Sequence, residues 1–346
     1  MKKFMHNTLS FVLTLTFVIT TIFSTGAVPA LAAATKGSCG TNATWSYDAN
    51  KTTLTISGKG ATKNYGIVST VPWEGYKARI TNIVVEEGIT EIGNYNFYNC
   101  TALVNVSLPS TLTILHGSGT MTASYGCFQN CTSLQSITLP KNLTTIENCA
   151  FKDCTALKSI TFPDSVTTLS YACFSGCTAL ETVTYGAGLT ETGNYAFYDS
   201  GVKRIYWGDN INTVNAWSFF KCKMTSVEFP DSVTSVGTRA FADCTFLKTV
   251  TVNNPNTTLT GDFCNGSEQE ITIYGHKAST AETFASSNNY KFVSIDACEH
   301  LNQRTVVSVE PTCLEGGVSQ KVCDDCGAVL SESSLDALGH NYETTD

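Results

Sequence analysis

Two groups of residues in this chain have types and spacings that could do chemistry. The first is Cys298, His300, Cys313, Cys323, Cys326 and His340, crowded near the end of the sequence. Cys323 and Cys326 flank Asp324 and Asp325 and are followed by Gly327, a knuckle in which glycine lets the chain reverse around a metal. Four thiolate and imidazole ligands in a tetrahedral array suit zinc. His300-Leu301-Asn302 and His340-Asn341-Tyr342 are alike and give a period near 40. One such unit holds His300, Cys313, Cys323 and Cys326, a complete set of three cysteines and one histidine. His340 then opens a second unit that stops at Asp346, so the chain is expected to be a truncated form of a longer protein. Zinc, one or two disulfides and a loose thiol-bearing tail all remain open for these residues. Export favours disulfides, while a CxxC with two further spaced ligands favours metal.

The second group is Lys203, Arg204 and Tyr206 with Glu228. An aromatic ring beside an arginine is the composition of protein-interface hot spots. The plainer reading is that Thr and Tyr simply favour strands. Catalysis has less to stand on. A cysteine nucleophile needs a histidine in reach and an oxyanion hole, and His116 and His276 belong to no such motif. The phosphate-binding pattern GxxxxGK[ST] is absent, and no pair of carboxylates can be placed together from the sequence. The chain is therefore read as non-enzymatic.

The element that must position these residues is a repeat. Phe followed three residues later by a small residue recurs at Phe97/Cys100, Phe128/Cys131, Phe151/Cys154, Phe174/Cys177, Phe197/Ser200, Phe219/Cys222, Phe241/Cys244 and Phe263/Gly266. Most Phe-to-Phe steps are 23 or 22 residues. One is longer, through a Gly-rich insertion from His116 to Ala123. Two become shorter because Val202 and Met224 come one residue before the usual Leu. The clearest copy runs through Leu157, Ile160, Phe162, Pro163, Val166, Leu169 and Phe174 to Cys177. Ile160 and Phe162 share one face of a short strand, and Pro163 closes it. Residues beside the central Ile or Val face away from the core: Asn105/Ser107, Ser136/Thr138, Ser159/Thr161, Thr182/Thr184, Arg204/Tyr206, Ser226/Glu228 and Thr249/Thr251. No single unit can bury its apolar face, so stacking must build one continuous core.

The segments of type CTALKSITFPDSVTTL, with their AFxxC endings, resemble the BspA-like leucine-rich-repeat family of bacterial cell-surface and secreted proteins. GSCGTNATWSYDANKTTLTISGKG and VPWEGY look like the β-rich segment preceding the repeats in that family. ITIYGHKASTAETFASSNNYKF looks like its closing segment. The resemblance implies a mainly β solenoid of about 23-residue repeats, with short parallel strands lining a concave face. It also implies an exported protein that binds other macromolecules, often as an adhesin. The tail, with EPTCLEGG, CDDCG and ALGHNY, resembles small modules appended to exported clostridial-type proteins, whose pattern does not require Cys298. The expected organisation is a signal peptide at 1–32, a β-rich N-terminal capping segment at 33–79, a solenoid with its C-cap at 80–295 and a Cys/His-rich, zinc-ribbon-like module at 296–346. Ser279 and Glu282 form an S-x-x-E capping box, predicting a short helix to about Ser287 that covers the last coil. Trp45, Trp73 and the run Thr52–Ile56 are expected to cover the first.

Composition narrows the function classes. Charged residues make up 14% and the net charge is −8, against roughly 25% charged in an ordinary domain. Nucleic acid is excluded as a partner, because no basic excess is available to release counterions. Lys2 and Lys3, the apolar stretch Leu9–Phe23 and Ala30-Leu31-Ala32 read as a secretory leader. No second apolar stretch follows, so no membrane insertion is expected after cleavage, and the chain is placed outside the cell or at its surface. The 15 Cys divide into ten borne by repeats, Cys39, and four in the tail. The ten read as small buried hydrophobes. Partners are expected among host, matrix or envelope proteins. Two other readings are the targeting region of a larger secreted enzyme and a structural component of the envelope.

Overall fold

The computed structural model describes residues 34–66, 70–267, 270–296, 301–312, 314–324 and 328–339. The leader expected at 1–32 lies outside them. The first described elements are three antiparallel strands, Lys36–Ser38, Asn42–Asp48 and Thr53–Ala61. In the second, Ala43, Trp45 and Tyr47 are buried and alternate with exposed neighbours, the period-2 pattern of a strand with one wet face. The third strand pairs in parallel with Asn82–Val85 and Ile89–Ile92. It therefore starts both ladders of the solenoid that follows.

That solenoid is mainly β and has about nine turns. One ladder carries the central Ile or Val of each copy: Ser159–Thr161, Thr182–Thr184 and Arg204–Tyr206 pair in parallel and in register. Ser226–Phe229, Thr249–Val252 and Thr272–Gly275 do the same. The second ladder is made of short pieces such as Thr145–Ile146 and Thr168–Leu169. Ser136 and Thr138 differ from expectation, since residues 134–140 form no strand. One main-chain bond, from Lys158 N to Gln135 O, ties this stretch to the next coil.

The repeat Phe residues form the axis of the core. All eight are fully buried. From Phe97 to Phe241 successive rings lie 5.0 to 5.5 Å apart. Two residues after the Phe the chain turns through the left-handed region, at Asn99, Asn130, Asp153, Gly176, Asp199, Lys221 and Asp243. Asn, Asp and Gly are the types that accept this conformation with least strain, so they recur there. The following thiol then points inward. Cys131, Cys154, Cys177, Cys222 and Cys244 donate from Sγ to the carbonyl of the Phe one coil back, at 3.2 to 3.3 Å. The repeat cysteines are buried free thiols and also donors. Burial pushes Cys100, Cys222 and Cys264 up to about 12, which keeps them protonated and unreactive.

The closing helix spans Thr280–Ser287, with Ser279 as N-cap and Asn288 as C-cap. Ser279 Oγ accepts from Glu282 N at 3.3 Å. The Glu282 carboxylate accepts from Ala278 N at 2.6 Å, one residue earlier than a standard capping box. Phe284 sets its ring 4.9 Å from Phe263 and covers the last coil.

The insertion folds into a small hairpin bridged at Gly119 and Ser124. His116 anchors it between two carboxylates from neighbouring coils, Glu91 at 2.7 Å and Glu147 at 3.0 Å. Burial alone would push its pKa down, but the hydrogen bonds to Glu91 and Glu147 outweigh burial and raise it. A histidine that holds its proton more tightly when folded stabilises fully below its ordinary pKa, and this contribution is lost as pH rises through the raised value. His116→Gln should therefore cost about 1–2 kcal/mol near pH 5.5 and clearly less near pH 8.5. Urea unfolding of both proteins at the two pH values checks this, and an equal gap at both would contradict it.

After the solenoid, Gln303–Val309, Gly317–Cys323 and Val329–Leu335 form an antiparallel three-stranded sheet with mostly exposed side chains.

Candidate functional site

The ladder of central strands is interrupted between Arg204–Tyr206 and Ser226–Phe229. Each strand pairs with its other neighbour, but no backbone hydrogen bond joins the two. Lys223 N still reaches Val202 O at 2.9 Å just before them. In the two coils before the break, the residue after the strand face donates its main-chain N–H one coil onward, Phe162 to Thr184 O and Tyr185 to Tyr206 O, both at 2.9 Å. At the break the corresponding acceptor, Glu228 O, is taken by the indole N–H of Trp207 at 2.7 Å. A side chain thus stands where a backbone donor stood. The site falls where the repeats are 22 residues long rather than 23.

The result is an open cleft of about 440 Å³. Lys203, Arg204, Tyr206 and Glu228, the four residues predicted from sequence, all line it. Tyr206 is 55% exposed. Lys203 Nζ meets Glu181 at 2.6 Å, and that hydrogen bond, with the charge of Lys203, lowers the Glu181 pKa. Glu228 accepts from Asn253 Nδ2 at 3.2 Å. The Arg204 guanidinium has no ion-pair partner among the described residues. Sequence reasoning missed Trp207, Met224 and Pro230, which supply apolar wall. Trp207 occupies the position held by Leu108, Leu139, Phe162 and Phe229 in other copies. That position reads as core, and the indole N–H was the available signal that this copy differs.

Of the tail residues singled out in the sequence, Cys323 is the one among the described residues. Cys323 is buried at the end of its strand, where its N–H bonds Ala328 O across the turn. His300, Cys313 and Cys326 lie outside the described residues, as do Cys298 and His340. No helix among the described residues is long and apolar enough to cross a membrane.

The repeat architecture has a counterpart among known families. Residues 75–119, 121–248 and 212–306 match the family described as BspA type leucine rich repeat region, in six copies. The chain belongs to this family. Its BspA-type repeats carry both the Phe stack and the cleft. Solved structures of similar proteins include a leucine-rich repeat protein from Bacteroides ovatus, at 19% identity and TM-score 0.42 over 68% of this chain and 70% of that one. Another, from Eubacterium ventriosum, is 21% identical with TM-score 0.42 over 70% and 78%. A leucine rich cell surface protein from Faecalibacterium prausnitzii is 18% identical with TM-score 0.31 over 75% and 97%. Comparison with curated proteins finds no match.

Proposed function

We propose that this BspA-type protein is an exported, non-enzymatic binding protein that attaches to a host, matrix or envelope protein through its strand face. The observation that carries the reading is that Lys203, Arg204, Tyr206 and Glu228 line one cleft. Around it, the face is mostly Ser and Thr, which offer little distinctive chemistry. Truncating hot-spot residues costs about 2 kcal/mol or more, which is roughly thirtyfold in affinity. A double variant with Arg204→Ala and Tyr206→Ala should lose about that much binding to an immobilised matrix protein that captures the parent chain. Unchanged binding by a correctly folded double variant would remove the cleft from the account.

For the tail, zinc held by His300, Cys313, Cys323 and Cys326 is the reading that the donor set supports. Cys323, buried at the end of its strand, fits a ligand kept from water. Such a metal would fasten the sheet and would perform no reaction. Elemental analysis of the purified protein should find one zinc per chain. Finding no zinc, with a two-proton mass loss for each oxidised cysteine pair, selects disulfides instead.

A further inference from the structure

We infer that the occupant of the cleft is an extended acidic segment of the partner protein, with a carboxylate seated on Arg204; this rests on the protein-binding reading above. Three observations carry it.

The first is the local charge. The chain carries −8 overall, yet the rim of the cleft reverses that sign. Glu181 N bonds Lys158 O at 2.8 Å and Lys203 N bonds Glu181 O at 2.9 Å, so these three residues sit one above another in consecutive coils. Lys223 lies in the next coil, two residues before Thr225, which continues that column, and its N–H bonds Val202 O; Lys158, Glu181, Lys203 and Lys223 are all exposed. The charges of Lys203, Arg204 and Lys223 all act on Glu181, and Glu228 shares the cleft with Lys203 and Arg204. Glu181 is already paired with Lys203, and Glu228 is hydrogen-bonded by Asn253. Arg204 and Lys223 have no ion-pair partner among the described residues; of the two, Arg204 lines the cleft, and its forked donors match a carboxylate.

The second is the backbone. The facing edges of Arg204–Tyr206 and Ser226–Phe229 are not joined to each other. The gap is bridged on either side, by Lys223 N to Val202 O and by Trp207 Nε1 to Glu228 O, so an extended segment lies across the open strand face and sets alternate side chains into the cleft without entering the ladder. The third is the wall. Met224, Pro230 and Trp207 make part of the cleft apolar. That lining suits an apolar side chain beside the acid. A sulfated polysaccharide would leave it uncovered.

A random linear-peptide library selected on the immobilised full chain tests this. Enriched peptides should carry Asp or Glu next to an apolar residue. In fluorescence polarisation their affinity should fall about tenfold or more on Arg204→Ala, and similarly when the acid is replaced by its amide. Added salt should weaken binding, because the contact is ionic and exposed. Circular dichroism of the variant confirms that it is folded. Enriched peptides without an acidic excess, or with affinity indifferent to Arg204, would overturn the inference. So would enrichment of no peptide, including the case where heparin binds in an Arg204-dependent way and the ligand is an anionic glycan. If peptides fail while a folded matrix protein still depends on Arg204 and Tyr206, the acidic-segment inference falls and the protein-binding reading stands. If neither depends on those residues, both fall.

Discussion

Phe174→Ala should lower the stability of this protein by about 3–5 kcal/mol, with the upper end expected. The ring is fully buried. It stacks on Phe151 at 5.1 Å and 7° and on Phe197 at 5.5 Å and 11°. Phe162 meets it edge-on at 5.6 Å. Each aromatic pair is worth about 0.5–1.5 kcal/mol beyond the area it buries, and truncation ends three of them. The cavity cannot close easily, because the neighbouring coils are held in register by main-chain bonds of 2.8 Å, Phe151 N to Cys173 O and Phe174 N to Ala196 O. Solenoid stability is nearly a sum of interfaces between neighbours, so a weak interface in mid-stack should also split the unfolding transition. Urea unfolding followed by circular dichroism measures both effects. A loss below about 1 kcal/mol, with one sharp transition, would mean that the rings fill space without holding the coils together.

The physical reason for that stack is also what made it readable. Burial selects apolar residues at a fixed step, and a Phe every 22 or 23 residues survives as a pattern even in a charge-poor chain. The closing helix was readable for a similar reason, since Ser279 and Glu282 act within one turn. The pairing of Lys203, Arg204 and Tyr206 with Glu228 was readable because strand alternation fixes which residues face outward. What alternation does not encode is whether adjacent strands stay joined. The break in the ladder depends on the reach of one indole N–H to Glu228 O, a non-local geometry. The thiol bonds were hidden for another reason. A buried cysteine looks alike whether or not its Sγ finds a carbonyl. Only Ser200, a hydroxyl in the same position whose Oγ lies 3.3 Å from Cys222 Sγ, hinted that a donor is wanted there. His116 stands between glutamates that come from coils 25 and 31 residues away in sequence, a separation no local pattern spans.

Trp73 is where the stack begins, and its loss should be felt in a different way from that of Phe174. Its ring is fully buried, stacked 6.2 Å from Phe97 and edge-on to Trp45 at 5.7 Å. Its indole N–H donates to Asn96 O at 2.9 Å. Trp73→Ala should cost about 3–5 kcal/mol, as large aromatic truncations do. Trp73→Phe keeps a ring and removes the donor, so it should cost nearer 1 kcal/mol. Because Trp73→Phe also gives up part of the indole's volume, the difference between the two is a lower bound on the packing contribution. A second consequence follows from position. The first coil's apolar edge is covered by the strand carrying Trp45 and Tyr47, and Tyr47 stacks on Tyr76 at 4.3 Å beside Trp73. Solenoids need such a terminal cover to stay soluble, because an open end exposes both core and strand edge to another copy. Trp73→Ala should therefore self-associate with rising concentration, while Phe174→Ala, whose ends remain covered, should not at the same loss of stability. Light scattering at matched fractions folded distinguishes them. If both variants stay monomeric, the N-terminal strands cap the coil without Trp73, and the cover is held by the ladder from Thr53–Ala61 into Asn82–Val85 and Ile89–Ile92.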